Sequence, residues 1–336
     1  MSKYLINEST LTGIADAIRT KKGTGEPIPT KNFPAEIESI GENEVLALKG
    51  LIEGSVTDLE IPNGITKIAD YALYRQANII SVSVPDSVTS IGEYAFQNCS
   101  GLLNLVVPSS VNSIGARAFM GCSSLQSVNI PSGITDIPAY MLSGCSALTS
   151  VDIPNTVTTI GSSAFNGCSS LTRIEVPDSV ESIETSAFKG TSSLNSITLP
   201  FIGRSNNVID EEKNWFGYVF GASSYSSNKT AVPASLKHVT ITKTRTVMTN
   251  AFAYCNNIES IAIPNIGAIN ANAFYGCSSC LLYDFRDASY VPHLSSLDIF
   301  YGINDNAKIL VPENLYDEWV TATNWASYSS HIVTEV

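Results

Sequence analysis

Along most of the chain, short runs of alternating apolar and polar residues each close on a proline, and the pattern returns at a fixed distance. Proline stands at 62, 85, 108, 131, 154, 177 and 200, each 23 residues after the one before and each preceded by Ile, Val or Leu. Other columns keep step: Cys99, Cys122, Cys145 and Cys168; Phe96, Phe119, Phe165 and Phe188; Ile91, Ile114, Ile137, Ile160 and Ile183. Self-similarity at this period marks a stack of layers, one repeat to a layer.

Within one unit, Cys168-Ser-Ser-Leu171-Thr-Arg-Ile174-Glu-Val176-Pro177 has the rhythm of a strand whose alternate residues face a core. Proline has no N–H to give the ladder, so the strand ends there. Asp178 to Ile183 predicts a second short extended stretch with Val180 and Ile183 inward, and Glu184 to Phe188 a single helical turn before Gly190. About eight inward apolar side chains per repeat supply roughly 12–24 kcal/mol, whereas ordering a repeat's backbone costs about 1–2 kcal/mol per residue. One repeat alone cannot fold, and only stacking, which buries both flat faces of a layer, makes the unit stable.

The unit best seen from Gly121 onward, Gly-Cys-Ser-Ser-Leu-x-Ser-Val-x-Ile-Pro, followed by an Ala-Phe turn like Ala118-Phe119, resembles the BspA-type leucine-rich repeat over roughly residues 50 to 290. The resemblance implies a mainly β fold: a right-handed leucine-rich-repeat solenoid with a parallel sheet, with adhesion or protein binding rather than catalysis as its work.

The period fails in three places. Residues 1–44 lie outside the repeat, and Thr10 can cap a helix carrying Leu11, Ile14, Ala15 and Ile18, with a second short helix from Pro34 to Ile40. That stretch resembles the N-terminal part of tail-associated structural proteins in phages and prophages of Gram-positive gut bacteria. Within 201–235 an insertion of about one and a half dozen residues interrupts the solenoid, which otherwise spans 45–302. It is rich in aromatics and glycine, with Phe201, Trp215, Phe216, Gly217, Tyr218, Phe220, Gly221 and Tyr225. Two readings stand: a recognition loop, or aromatics that fold the insertion back over neighbouring repeats. Residues 303–336 predict a C-terminal cap, a last strand at Lys308 to Val311 followed by an amphipathic helix with Trp319.

Composition narrows the function. A hydrophobic fraction of 44% is ample for a core, and a net charge of −12 disfavours nucleic acid and anionic membranes as partners. No run approaches the ~20 apolar residues that span a bilayer, and the N-terminus lacks the basic and apolar regions of a secretion signal, so export by that route is not expected. The spacing Cys277-Ser-Ser-Cys280 is that of zinc and redox sites, but Cys277 continues the cysteine column and Cys280 stands where Leu102, Leu125, Leu148 and Leu171 do. Both read as core, and no metal or cofactor is expected. The histidines, His238, His293 and His331, fall on an edge strand, a loop and the tail with no nucleophile motif beside them.

Surfaces remain. On the main sheet the outward pairs are small and polar, and Asn129, Asp152, Arg173 and Glu175 are its candidate ligand contacts, with Trp215, Tyr218 and Tyr225 on the insertion. The leading expectation is a non-catalytic component of a phage or prophage tail, assembled in the bacterial cytoplasm. Residues 1–44 would hold it to other virion proteins, and its repeats would meet a host-surface protein or glycan. The alternative is a BspA-like adhesin of the bacterial surface. A cell-wall glycan hydrolase would need a carboxylate pair in a cleft, most plausibly near 201–235, and is the least expected.

Overall fold

In a computed structural model, residues 4–5, 56–206, 213–264 and 266–335 are described. They fall into two compact units, residues 1–157 with 161–171, and residues 158–160 with 172–336.

In the first unit Asp58–Glu60, Ser81–Ser83, Asn104–Leu105 and Ser127–Val128 form a parallel sheet. Its register puts Leu59, Val82, Leu105 and Val128 in one inward column, with Asp58, Ser81, Asn104 and Ser127 beside it facing out. Tyr4–Leu5 adds an edge strand beside Asp58–Glu60. So at least this part of residues 1–44 joins the sheet; the helices expected at 11–22 and 34–40 lie outside the described residues. A second parallel strip, Lys67–Ile68, Ser90–Ile91 and Ser113–Ile114, carries the isoleucine column. The Ala-Phe turns make a third strip, with Leu73 N donating to Ala95 O at 2.7 Å and Phe96 N to Ala118 O at 2.7 Å. Backbone donors and acceptors of each layer thus meet those of its neighbours on three sides, forward along the Ala-Phe turns and back along the second strip, where Gly92 N donates to Ile68 O at 2.8 Å, which satisfies polar groups that a single repeat would leave bare.

The second unit has a seven-stranded parallel sheet: Arg173–Glu175, Ser196–Leu199, His238–Ile241, Ser260–Ala262, Leu282–Asp284, Lys308–Leu310 and Ile332–Val333. One inward column runs through it from Ile174 by Ile197, Val239, Ile261, Tyr283 and Ile309 to Ile332. The final strand is Ile332–Val333 rather than the expected Lys308 to Val311: the chain passes through the helix Tyr316–Thr321 and a 3-10 segment Trp325–His331, then returns to cover the edge. Trp319 and Trp325, both fully buried, pack with ring centroids 4.5 Å apart, and Trp325 Nε1 donates to Pro292 O at 2.7 Å. His238 lies on an inner strand and His293 on the strand His293–Leu294, neither on the edge strand nor in the loop the pattern suggested.

Close stacking explains the recurring Ile-Gly pairs. A Cβ on Gly115 would lie 2.4 Å from the backbone nitrogen of Glu93 in the preceding layer, closer than atoms can approach. Gly115→Ala should therefore cost about 1–3 kcal/mol by forcing two layers apart, read as a lower urea midpoint. An unchanged midpoint would show that the layers separate freely.

The cysteine column is equally constrained. Sγ of Cys122, Cys145 and Cys168 donates to the carbonyls of Phe96, Phe119 and Leu142 in the layer before, at 3.1, 3.2 and 3.2 Å. All seven cysteines are buried and free, Cys277 and Cys280 included. Burial pushes the thiols of Cys122 and Cys168 up to about 12, and those of the other five upward as well. The unfolded chain ionises its thiols first, so it binds fewer protons above its own pKa. Stability is then full below about pH 9 and falls as pH rises towards 12, by up to about 1.4 kcal/mol per pH unit for each thiol. The melting midpoint should drop steeply between about pH 9 and 10.5, and a flat profile would show that the thiols titrate alike in both states.

Candidate functional site

The described residues of the insertion, 201–206 and 213–235, are built into the stack. Ile197 pairs with Val239, 42 positions on, so the main sheet closes over the interruption, and the described added residues swell the other strips of a single layer. Ser205 bridges Ser182, and Ile183 N donates to Arg204 O at 2.8 Å, replacing the second strip. The 3-10 segment Phe216–Phe220 replaces the Ala-Phe turn, with Phe188 N donating to Val219 O at 2.8 Å and Phe216 N to Ala251 O at 2.7 Å. Phe216 is fully buried between Phe220 and Phe252, with centroids 5.5 and 4.9 Å away. The buried amide of Asn228 accepts from Gly217 N at 3.0 Å and donates to Ala253 O at 3.0 Å, tying the far side of the insertion to the next layer.

The seven sequence-selected residues divide accordingly. Trp215 is partly buried, with Nε1 turned to Ala222 O at 3.4 Å, and Tyr218 is only 8% exposed. Burial raises the Tyr218 hydroxyl pKa, with the Glu184 carboxylate adding to the effect. Tyr225 alone of the three aromatics is openly exposed. On the sheet, Asn129 faces out, but its amide accepts from Val107 N at 2.8 Å and donates to Val107 O at 2.7 Å, standing in for backbone ladder bonds. Arg173 and Glu175 are exposed and pair with each other along one strand, an arrangement worth about 0.2–1 kcal/mol in water. Asp152 is exposed.

Two surface features escape the sequence pattern. In the first unit, the position opening each Ala-Phe turn takes the left-handed conformation: Tyr71, Tyr94, Arg117 and Tyr140 have φ of 62°, 58°, 58° and 59°. Their side chains form a partly exposed ladder. The rings of Tyr71 and Tyr94 stack at 4.5 Å with 7° between planes. Arg117 Nη1 donates to the Tyr94 hydroxyl at 2.9 Å, and its Cζ lies 5.3 Å from the Tyr94 ring and 4.7 Å from that of Tyr140. The signal was present as a 23-residue spacing, but Tyr, Tyr, Arg and Tyr do not read as a column of one residue type.

In the second unit, a cleft of about 990 Å³ opens beside residues 201–206, lined among others by Asp178, Glu181, Arg204, Lys243, Arg245 and Tyr290. Two carboxylates, Asp178 and Glu181, line it. Asp178 accepts from Thr242 Oγ1 at 2.5 Å, and Glu184 nearby holds Arg204 through Nε and Nη2 at 3.0 and 2.9 Å. Among the described residues no cluster of three His, Cys, Asp or Glu is placed to hold a metal, and no helix is long and apolar enough to cross a membrane.

Stacked parallel strands, inward Leu, Ile and Cys columns and Ala-Phe turns define a leucine-rich-repeat protein. The BspA type leucine-rich repeat region matches residues 26–146, 101–215 and 227–316, and the chain belongs to that family. No curated protein matches it. Among solved structures it is similar to a leucine-rich cell surface protein from Faecalibacterium prausnitzii at 22% identity, covering 84% of this chain and 83% of that one with a TM-score of 0.41. A leucine-rich repeat protein from Bacteroides ovatus is similar at 20% identity, covering 78% and 80% with a TM-score of 0.37.

If the insertion is a structural layer, its aromatics differ in consequence. Phe216→Ala should destabilise the second unit by about 3–5 kcal/mol, and Tyr225→Ala by less than about 0.5 kcal/mol, measured by denaturant unfolding. Equal effects would contradict the placement.

Proposed function

We propose that the chain is a non-catalytic binding protein that holds a macromolecular partner, protein or glycan, against the Tyr71, Tyr94, Arg117 and Tyr140 ladder. The observation that carries this is a contrast between layers. At the same left-handed position other layers have Ser163, Ser186, Asn250 and Asn272, so the turn forms without a large side chain. A non-glycine residue there is strained, by roughly 1–2 kcal/mol, and asparagine bears that conformation best. Four successive layers nevertheless place tyrosine or arginine there, partly exposed and stacked. These two residue types dominate binding hot spots, because they offer broad contact area and hydrogen bonds at small entropic cost. Asp152 on the first unit, and Arg173, Glu175, Trp215 and Tyr225 on the second, are candidate contacts separate from the ladder in this proposal.

Two settings follow. Membership of the repeat family supports display as a surface adhesin. The phage or prophage tail, with residues 1–44 docked to other virion proteins, rests on the sequence of residues 11–40 alone. Immunogold labelling separates them, marking either intact bacteria or released particles.

The ladder is tested by Tyr94→Asn combined with Arg117→Ser, which substitute residue types that other layers already carry there. Binding of the labelled chain to bacterial and host cells and to immobilised glycans should fall at least about tenfold, since a hot-spot side chain contributes about 2 kcal/mol or more. The melting midpoint should stay level or rise. Undiminished binding with an unchanged midpoint would remove the ladder from the contact surface.

A further inference from the structure

Tyrosine recurs on the turn strip of the second unit, at other positions of the turn. Tyr275 and Tyr301 follow Phe274 and Phe300 in successive layers, and their rings stack with centroids 5.2 Å apart and 17° between planes. Tyr254, one layer earlier, meets Tyr275 edge to face at 5.4 Å. It lies over Gly276, where a Cβ would come within 3.3 Å of its Cδ1. The pile ends at Tyr301, which is 62% exposed. One face of its ring lies against Tyr275, and the other meets no ring and no cation among the described residues.

The C-terminal cap closes the core and stops short of this ring. Trp325 and Tyr328 pack on Phe300, with centroids 5.9 and 5.1 Å away, while Tyr301 beside it stays outside. Two carboxylates flank Tyr301 along the chain. Tyr301 N donates to Asp298 O at 3.3 Å, and Asp305 begins the turn that follows. Both acids are exposed, and neither has an ion-pair partner among the described residues. Burial raises the Tyr328 hydroxyl pKa and the Asp298 carboxylate adds to it, so this acid also faces the cap. Residues 271–336 hold eight Asp and Glu against only Arg286 and Lys308, and Arg286 is spent on Asp284. The field at this end of the second unit therefore draws cations.

The first unit shows what such a pile accepts. There the Arg117 guanidinium lies by the rings of Tyr94 and Tyr140, 5.3 and 4.7 Å from their centroids. A ring face is the negative end of the aromatic quadrupole and attracts a cation, and a planar, weakly hydrated guanidinium stacks on it better than an ammonium. We propose that the open face of Tyr301 receives an arginine side chain from a basic segment of a protein partner, with Asp298 and Asp305 meeting the positive charges of that segment. The partner then supplies the rung that the chain itself leaves out. A neutral sugar uses the ring and leaves the surrounding charge idle, and an anionic chain is repelled by it. The site shares no residue with the tyrosine ladder of the first unit, so either proposal can fail alone.

The test titrates the full chain into labelled Gly-Ser peptides that carry arginines, lysines or uncharged citrullines at the same places, followed by fluorescence anisotropy, with maltotriose as a neutral-sugar competitor. The arginine peptide should bind saturably, at least about tenfold tighter than the citrulline peptide and about threefold tighter than the lysine peptide. Tyr301→Ala should weaken it about three- to tenfold with no change in melting midpoint, and Tyr301→Phe, which keeps the ring face, should restore it. Asp298→Asn combined with Asp305→Asn should weaken binding and flatten its dependence on salt. Tyr94→Asn combined with Arg117→Ser should leave it unchanged. Absence of binding, or equal affinity for the citrulline or lysine peptide, overturns the proposal. So does affinity unchanged in Tyr301→Ala, which would leave only a general attraction to the acidic surface, and so does displacement of the peptide by maltotriose.

Discussion

Every layer of this protein depends on meeting another layer in the same register. The inward column from Ile174 to Ile332 and the backbone bonds along all three strips both require that each residue find its counterpart one layer on. Much of the chemistry follows from that requirement. Glycine stands at 115 because the neighbouring backbone leaves no room for a Cβ. Cysteine suits its column because a small apolar group with one weak donor can sit against the carbonyl of the preceding layer, as Cys145 does on Phe119 O. Where Thr191 takes that place, its hydroxyl turns to Phe188 O of its own layer, and the stack continues.

The same requirement disciplines the irregular parts. An insertion that broke the main sheet would strand a row of donors and acceptors, and here Ser196–Leu199 meets His238–Ile241 directly. The C-terminal end meets the problem differently. Trp319 and Trp325 cover the last core surface beside Phe285 and Phe300, and Ile332–Val333 pairs the last open strand. From His238 the main sheet steps by 22 residues to Ser260, by 22 to Leu282 and by 26 to Lys308 without loss of register, because the changes in length fall in turns and not in strands.

Repetition made the core legible in the sequence. Cys99, Phe96 and Ile91 could be placed inward because each recurs at the same interval, and Cys280 could be separated from metal chemistry because it continues a leucine column. What has no period could not be placed. The insertion's aromatics look alike in sequence, yet Phe216 fills the core while Tyr225 meets solvent. Asn129 fitted the outward alternation, but alternation does not reveal that its amide is spent on Val107. The cleft was invisible for the same reason: Asp178, Arg245 and Tyr290 are scattered along the chain and meet only through the layering.

A stack of this kind separates folding from recognition more cleanly than most folds. Inward columns are bound to shape by the layer on either side, whereas an outward column contributes little to stability and is free to differ between layers. Function is therefore to be sought where outward positions depart from what the fold needs. Ser163 and Asn272 show that the left-handed turn position needs only a small polar residue, so the tyrosines and arginine in the first unit are an addition to the fold.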